Sequence, residues 1–301
     1  MNRPSASRRK FLRRAASFAA TAFPLFLLHD RASALQQGSL FSTDETIILK
    51  RLGRGTDEDL FRLPVGDLVA EMGRSFLERP YEANTLEGEG EEHLVVNLRA
   101  FDCVTLCETS LALARAVKLH AGSTRGYCAQ LQLIRYRSGV INGYGSRLHY
   151  FSEWIADNEK KKVLGNMTRE LGGHRDRRAL NFMSSHREAY PRLASDADLA
   201  AVVAAEKGLL ASPRFLLPKQ KVEGVLERIQ NGDIIAITTS VEGLDVSHTG
   251  VAVREGGTIR LLHAPIAGQQ VQITRGSLSE YLNAHEKQTG IMVARPLEPR
   301  T

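Results

Sequence analysis

The chain changes its hydrophobic period once, near residue 222, and this change limits the folds open to it. Before that point apolar residues recur with helical spacing, most strongly over residues 101–119. After it, apolar and polar residues alternate in short runs, as in strands with two different faces. Helical segments followed by a run of strands are typical of an α+β fold. We therefore predict helices packed on a sheet.

The C-terminal part predicts an antiparallel sheet of about five strands. Gly256-Gly257 lies between two alternating runs, which is a strong signal for a hairpin. If the turn centres on this pair, His248 lies diagonally across from His263 on one face of the sheet. The predicted strands cover residues 233–238, 248–254, 258–263, 270–273 and 291–295.

The N-terminal part predicts several helices. The first is expected to be capped by Thr43 or Asp44, and others to begin near Thr56 and at Pro64. Residues 127–137 fit a strand or a short helix, and residues 149–157 and 196–207 fit helices. We treat residues 120–220 as a helical insertion within a single catalytic domain that spans residues 35–301.

The first 34 residues resemble a twin-arginine export signal. Residues 7–13 read Ser-Arg-Arg-Lys-Phe-Leu-Arg, an apolar stretch follows, and Ala32-Ser33-Ala34 forms a small-x-small cleavage site. We expect the twin-arginine export machinery to deliver the folded chain to the periplasm or the exterior. A basic amphipathic N-terminal segment or a signal anchor is the alternative.

The net charge of +6 belongs to this leader. The chain holds 40 basic and 34 acidic residues, and the leader holds seven and one of them, so 33 of each sign remain. No basic stripe is left for DNA or RNA, so we expect no nucleic-acid partner. No later stretch is apolar enough to predict a stable membrane span after signal cleavage.

Cys103 is the candidate nucleophile among three cysteines. It lies in the first turn of the predicted 101–119 helix, after Asp102 in the N-cap position. Helix starts favour the thiolate, so we expect a lowered thiol pKa. Cys107 and Cys128 fit core positions, and burial as a small hydrophobe remains the alternative for Cys103.

A nucleophilic cysteine needs a base, and the base needs a partner that orients it. His248 and His263 are placed by the predicted hairpin so that one imidazole can fix the tautomer of the other. Two unrelated surface histidines at strand ends are the alternative.

The chain resembles the papain-like cell-wall cysteine hydrolases of the NlpC type, in their N-acetylmuramoyl-L-alanine amidase-like branch. The resemblance covers about residues 45–297 and rests on motifs that occur in order. These are Pro80-Tyr81, Thr85-Leu86-Glu87, residues 101–105 (Phe-Asp-Cys-Val-Thr), residues 147–155 around His149 and Trp154, residues 231–235 (Asn-Gly-Asp-Ile-Ile), residues 243–250 (Gly-Leu-Asp-Val-Ser-His-Thr-Gly) and Leu262-His263-Ala264.

The resemblance implies roles for individual residues. Cys103 would be the nucleophile, His248 the general base and His263 the orienting residue, with the Cys103 backbone N–H in the oxyanion hole. No metal or cofactor is implied. The residues around these motifs are candidates for substrate binding: Tyr81, Asp102, Arg147 (toward a substrate carboxylate), Tyr150, Trp154, Asp245 and Ser247. Core filling is the alternative for Tyr150 and Trp154, and capping of a turn for Asp245.

The implied substrate is peptidoglycan or its muropeptides, cut at the lactyl–L-alanine amide. Several alternatives stay open at this point. They are a γ-D-glutamyl-diamino acid endopeptidase, an acyl transferase or thioesterase with the same Cys–His pair, a non-catalytic wall-binding protein, and a metal site formed by Cys103, His248 and His263.

The leader yields the first testable prediction. We expect export to be followed by cleavage after Ala34, because small residues occupy the two positions that signal peptidases read. N-terminal sequencing of the exported protein checks this. A mature form that keeps Met1 would contradict it.

Overall fold

The computed structural model describes residues 32–88 and 90–300, with side chains from residue 43 onward. The predicted leader therefore lies almost wholly outside the described residues. The described chain is an α+β structure, as the sequence predicts. Its α-helices are α1 (Ala32–Asp57), α2 (Val65–Arg74), α3 (Cys103–Lys118), α4 (Thr124–Arg135), α5 (Phe151–Lys160), α6 (Phe182–Ser185), α7 (Asp196–Ala211), α8 (Lys219–Val222) and α9 (Leu278–Asn283).

The strands form one antiparallel sheet of eight among the described residues. Its order is β2-β3-β8-β4-β5-β6-β7, and β1 also pairs with β8. The strands are β1 (Leu164–Asn166), β2 (His174–Asp176), β3 (Arg214–Pro218), β4 (Ile234–Thr239), β5 (Val246–Glu255), β6 (Thr258–His263), β7 (Gln272–Ile273) and β8 (Gln288–Pro296).

All five predicted strands are present as β4 to β8, and the hairpin has the predicted register, with Val251 opposite Leu262. The description of residues 120–220 as a helical insertion was incomplete. This segment also supplies β1, β2 and β3, which extend the sheet beyond β8. These strands have three to five residues, too few for a periodic pattern to stand out.

The N-terminal helices differ from the prediction in their bounds. Helix α1 begins at Ala32, so neither Thr43 nor Asp44 caps it. Instead, the Asp44 carboxylate accepts a hydrogen bond of 2.9 Å from the Leu98 backbone N–H. The helix expected from Thr56 is replaced by a 3₁₀ turn at Leu60–Arg62. Residues 124–135 are helical, which decides the ambiguity at residues 127–137.

The sheet is buried on both faces, because successive strand residues point to opposite sides. On one face Ile234, Ala236 and Val251 pack against the larger helices, among them the central helix α3. On the other face Ile235, Ile237 and Ala252 pack against α8 and α9. Cys107 is fully buried in the first of these cores, and Cys128 packs against its edge, as expected. The two cores fix the sheet between two helical layers.

No helix among the described residues is long and apolar enough to cross a lipid bilayer.

A close approach between the first turn of α2 and the turn before β4 ties the sheet to this helix. Gly232 has a φ of +83°, and a Cβ atom there would lie 1.8 Å from the Gly66 carbonyl oxygen. Gly257, in the hairpin turn, has the same φ of +83°, but a Cβ atom there would meet nothing within 4 Å. Substitution of the two glycines therefore distinguishes the effect of backbone conformation, which is the same at both positions, from that of close packing, which occurs only at Gly232.

We expect Gly232→Ala to lower the free energy of unfolding by about 3 kcal/mol or more, because the backbones must move apart. The matched variant Gly257→Ala should lose only about 1 kcal/mol, from the left-handed conformation alone. Urea unfolding of both variants checks this. Equal losses would show that the Gly66 contact is unimportant.

Candidate active site

Cys103 is the first residue of α3, and the start of this helix is held by a capping box. The Asp102 carboxylate accepts a hydrogen bond of 2.7 Å from the Thr105 N–H, and the Thr105 hydroxyl accepts one of 3.0 Å from the Asp102 N–H. This reciprocal pair satisfies two helix-terminal donors. It confirms Asp102 as the N-cap and fixes the backbone from which the Cys103 thiol projects.

Thr249 brings strand β5 against this helix start. Its hydroxyl donates a hydrogen bond of 2.7 Å to the Cys103 carbonyl oxygen, and the Cys107 thiol lies 3.7 Å from the same hydroxyl. The Thr249 backbone and hydroxyl also lower the pKa of the Cys103 thiol, against the larger effect of burial. Because His248 precedes Thr249 on β5, the backbone of His248 lies close to the start of α3.

The two histidines form the pair that the hairpin register predicts. His248 Nε2 and His263 Nδ1 are 2.8 Å apart, and the rings meet edge to face. A bulge at Ser247 precedes His248, since Ile237 pairs with His248 while Thr238 pairs with Val246. Bulges re-aim neighbouring side chains. Ser247 itself is exposed at the start of β5.

The thiol and the two imidazoles are uncharged, which differs from the expected thiolate. Burial and then the Asp102 carboxylate raise the pKa of the Cys103 thiol to about 11, against the opposing hydrogen bonds. Burial lowers the pKa of His248 to about 3 and that of His263 to about 4. The expectation of a lowered thiol pKa was wrong, because desolvation outweighs the helix start. At neutral pH the proton stays on sulfur.

Two tyrosines lie close to the thiol. Burial and then the charge of Cys103 raise the pKa of the Tyr81 hydroxyl to about 12, so this hydroxyl remains a donor. Tyr281, on α9, meets His263 edge to face with ring centroids 5.1 Å apart. Burial raises the pKa of the Tyr281 hydroxyl, with Gln288 acting in the opposite direction and Cys103 in the same one. Sequence reasoning singled out neither Tyr281 nor Thr249, although Thr249 follows His248 in the quoted motif.

The other candidate substrate residues lie mainly in the interior. Trp154 is fully buried, and its indole N–H donates to Glu108 at 3.2 Å. The Tyr150 hydroxyl donates to Glu206 at 2.8 Å. Asp245 is buried and accepts a hydrogen bond of 2.7 Å from the Ser152 N–H at the start of α5. These contacts favour core filling for the aromatic residues and capping for Asp245.

Arg147 also finds its partners inside the chain. Its guanidinium contacts Glu92 at 2.8 and 3.0 Å, Glu87 at 2.7 Å and the Leu86 carbonyl oxygen at 2.9 Å. The group is buried. The bidentate pairing expected with a substrate carboxylate is thus made with the chain's own glutamates, and Arg147 fastens residues 86–92 to the body of the protein.

The described residues contain no group of three or more His, Cys, Asp or Glu side chains arranged to hold a metal ion.

The sequence pattern of the AmiA-like family, described as N-acetylmuramoyl-L-alanine amidase-like, matches residues 71–291. With its α+β fold, this match puts the chain in the class of amidase-like proteins that act on the cell wall. The chain belongs to the AmiA-like family. No curated protein matches it.

Solved structures of similar proteins agree with this. An N-acetylmuramoyl-L-alanine amidase from Bacteroides uniformis is 38% identical, with a TM-score of 0.74, over 77% of this chain and 99% of that one. A putative xylanase from Bacteroides fragilis is also 38% identical, with a TM-score of 0.71, over 75% and 99%. A Legionella pneumophila protein at 19% identity and a TM-score of 0.65, over 86% and 96%, shares the fold.

The contribution of Asp102 to the thiol pKa is testable. We expect Asp102→Asn to speed alkylation of Cys103 by iodoacetamide at about pH 8, because the carboxylate charge disappears while asparagine caps a helix as well as aspartate does. Mass spectrometry of the Cys103 peptide measures the rate. Cys103→Ser identifies the labelled peptide, and an unchanged rate in Asp102→Asn would contradict the electrostatic account.

Proposed function

We propose that this protein is an exported cysteine hydrolase that cleaves the amide bond between the N-acetylmuramoyl group and L-alanine in peptidoglycan fragments. The observation that carries the proposal is the His248–His263 pair, with 2.8 Å between its ring nitrogens, on a strand whose next residue, Thr249, is bonded to the Cys103 carbonyl at the start of α3. Membership of the AmiA-like family supports the substrate and the bond. The order of these groups along the chain supports an NlpC-type, papain-like core.

In the proposed first half-reaction, His248 Nδ1 takes the proton from the Cys103 thiol as the sulfur attacks the amide carbonyl carbon. The backbone N–H of Cys103 stabilises the oxyanion, since the first N–H groups of a helix have no intrahelical acceptor. The Tyr81 hydroxyl is our candidate for the second donor. The carbon–nitrogen bond then breaks, and His248 returns its proton to the leaving amine of L-alanine.

In the second half-reaction water replaces the amine. His248 takes a proton from the water as its oxygen attacks the thioester carbon, the carbon–sulfur bond breaks, and the thiol recovers its proton. His263 keeps its hydrogen bond to His248 throughout and so fixes which ring nitrogen faces the sulfur. It acts as a positioning residue. The products are a muramoyl carboxylate and a free peptide amine.

The twin-arginine-like leader and the family together support a cell-wall location. We propose that residues 1–34 direct export, that residues 35–301 form the catalytic domain, and that the mature protein works in the periplasm or outside the cell.

Incubation of residues 35–301, as wild type and as Cys103→Ser, with purified muropeptides tests the reaction. We expect the wild type alone to release the stem peptide with a free L-alanine amine, identified by mass spectrometry. Thr249→Val, which keeps the shape but loses the hydroxyl, should retain the fold and lower kcat. Cleavage at the γ-D-glutamyl bond, or acyl transfer without hydrolysis, would contradict the proposal, as would equal activity in Cys103→Ser.

The pH dependence of the reaction follows from the shifted histidines. Neutral His248 is the active form, and its pKa is lowered to about 3. The pH must therefore fall far below the ordinary pKa range of histidine before His248 is protonated and can no longer act as a base. We expect kcat/KM to stay level from neutral pH down to about pH 5. Circular dichroism over the same range is the control, because acid lowers stability as the unfolded chain takes up protons that the folded one excludes. An acid limb near pH 6.5 in folded protein would contradict a desolvated His248.

A further inference from the structure

A cavity lies against His263. Its volume is about 460 Å³. Residues from β7, α9, the segment between them and the turn after α9 line it with mostly polar side chains: Gln272, Thr274, Arg275, Glu280, Tyr281 and His285.

His263 presents an unsatisfied nitrogen at this cavity. The residue is only 1% exposed, its Nδ1 is engaged by His248, and its Nε2 is buried without a hydrogen-bond partner. A buried polar atom without a partner is rare in folded proteins and calls for an explanation. His263 is one of the residues that line the cavity, so the unpaired nitrogen belongs to a side chain of the cavity wall.

The proposed reaction decides whether this nitrogen donates or accepts. If His248 Nδ1 is the base that faces the thiol, the proton of neutral His248 lies on Nε2 and is donated to His263 Nδ1. The proton of neutral His263 must then lie on Nε2. The cavity therefore contains a buried N–H donor that calls for an acceptor.

The charges around the cavity favour a negatively charged acceptor. Arg275 is exposed at its rim and brings a positive charge. Glu280 is the opposing charge. Its Oε2 accepts a hydrogen bond of 2.6 Å from the Ser277 N–H in the capping box of α9, which commits this carboxylate to the helix start.

We propose that this cavity is a subsite for a carboxylate of the substrate's stem peptide, which accepts a hydrogen bond from His263 Nε2–H and faces the Arg275 guanidinium. The inference rests on the proposed function, because that function sets the tautomer of the histidine pair. Once bound, the carboxylate completes a chain of hydrogen bonds from Cys103 through His248 and His263 to the substrate itself.

Such a subsite would let the substrate activate the base that attacks it. In the empty site, desolvation lowers the pKa of both histidines, so a proton moving from sulfur to His248 creates a poorly stabilised positive charge. A carboxylate at His263 stabilises that charge through the hydrogen-bonded pair. Peptides without this carboxylate would be turned over more slowly, although their amide bond is the same.

The binding half of the proposal is tested without catalysis. Sodium acetate is titrated into Cys103→Ser protein while imidazole ¹⁵N resonances are followed by NMR, with sodium chloride at the same ionic strength as control. We expect the ¹⁵N resonance of His263 Nε2 to shift with acetate concentration until the site is saturated. The spectrum of His285→Gln, which lacks the resonances of His285, supports the assignment of this signal. Arg275→Gln should weaken acetate binding about tenfold and Glu280→Gln should strengthen it, since these variants remove opposite charges beside one site.

No saturable shift, or a His263 Nε2 that lacks a proton, would overturn the proposal. Equal effects of chloride and acetate would also overturn it, because they would indicate ionic strength alone.

The catalytic half compares muropeptides with free and amidated stem carboxylates in the wild-type protein. We expect amidation to lower kcat/KM about tenfold or more, and Arg275→Gln to shrink this difference. Equal rates for both substrates would overturn substrate activation. If the wild type cleaves no muropeptide while acetate still binds at His263, the proposed function fails and the carboxylate site does not. If cleavage occurs and acetate has no effect on His263, the subsite fails alone.

Discussion

The hydrogen bond from the Thr249 hydroxyl to the Cys103 carbonyl oxygen joins the start of α3 to β5, and the geometry of the candidate site depends on it. The helix start is fixed on its own side by the capping box of Asp102 and Thr105. The strand is fixed on its side by pairing with β4 and β6. The buried Thr249 hydroxyl therefore connects helix α3 to strand β5. Cys103, with its thiol, is on the helix side of this hydrogen bond, and His248, with its imidazole, is on the strand side.

Burial gives this site its electrostatic character. The same packing that positions Cys103 and His248 removes water from both, which raises one pKa and lowers the other, so neither group is charged at rest. In the proposed reaction, charge then has to appear as the bonds change, where oriented donors can stabilise it. This explains why the surroundings of the histidine pair, including Tyr281 and the cavity beside His263, bear on the chemistry as much as the pair itself.

Much of this arrangement was predictable because it depends on local rules. The Gly256-Gly257 turn sets a register, and the register brings His248 and His263 together. The position of Asp102 before an apolar helix predicts its capping role. The pKa of the thiol was not predictable, since the helix start and desolvation act in opposite directions and only the packed structure gives the degree of burial. The short strands β1 to β3 were missed because they are stabilised by pairing within the sheet, β1 and β3 with β8 and β2 with β3, rather than by their own pattern.

Arg147 shows most clearly what could not be predicted from the sequence. Its neighbours in the sequence suggest a groove residue, yet its guanidinium binds Glu87 and Glu92, which lie far away along the chain. The sequence by itself determined the α+β class, the hairpin register, the capped cysteine and the family, because these follow from periodicity, turn chemistry and ordered motifs. Only the tertiary structure decided which polar groups face each other, which are desolvated and which stay unpaired, because those properties arise between segments that the sequence keeps apart.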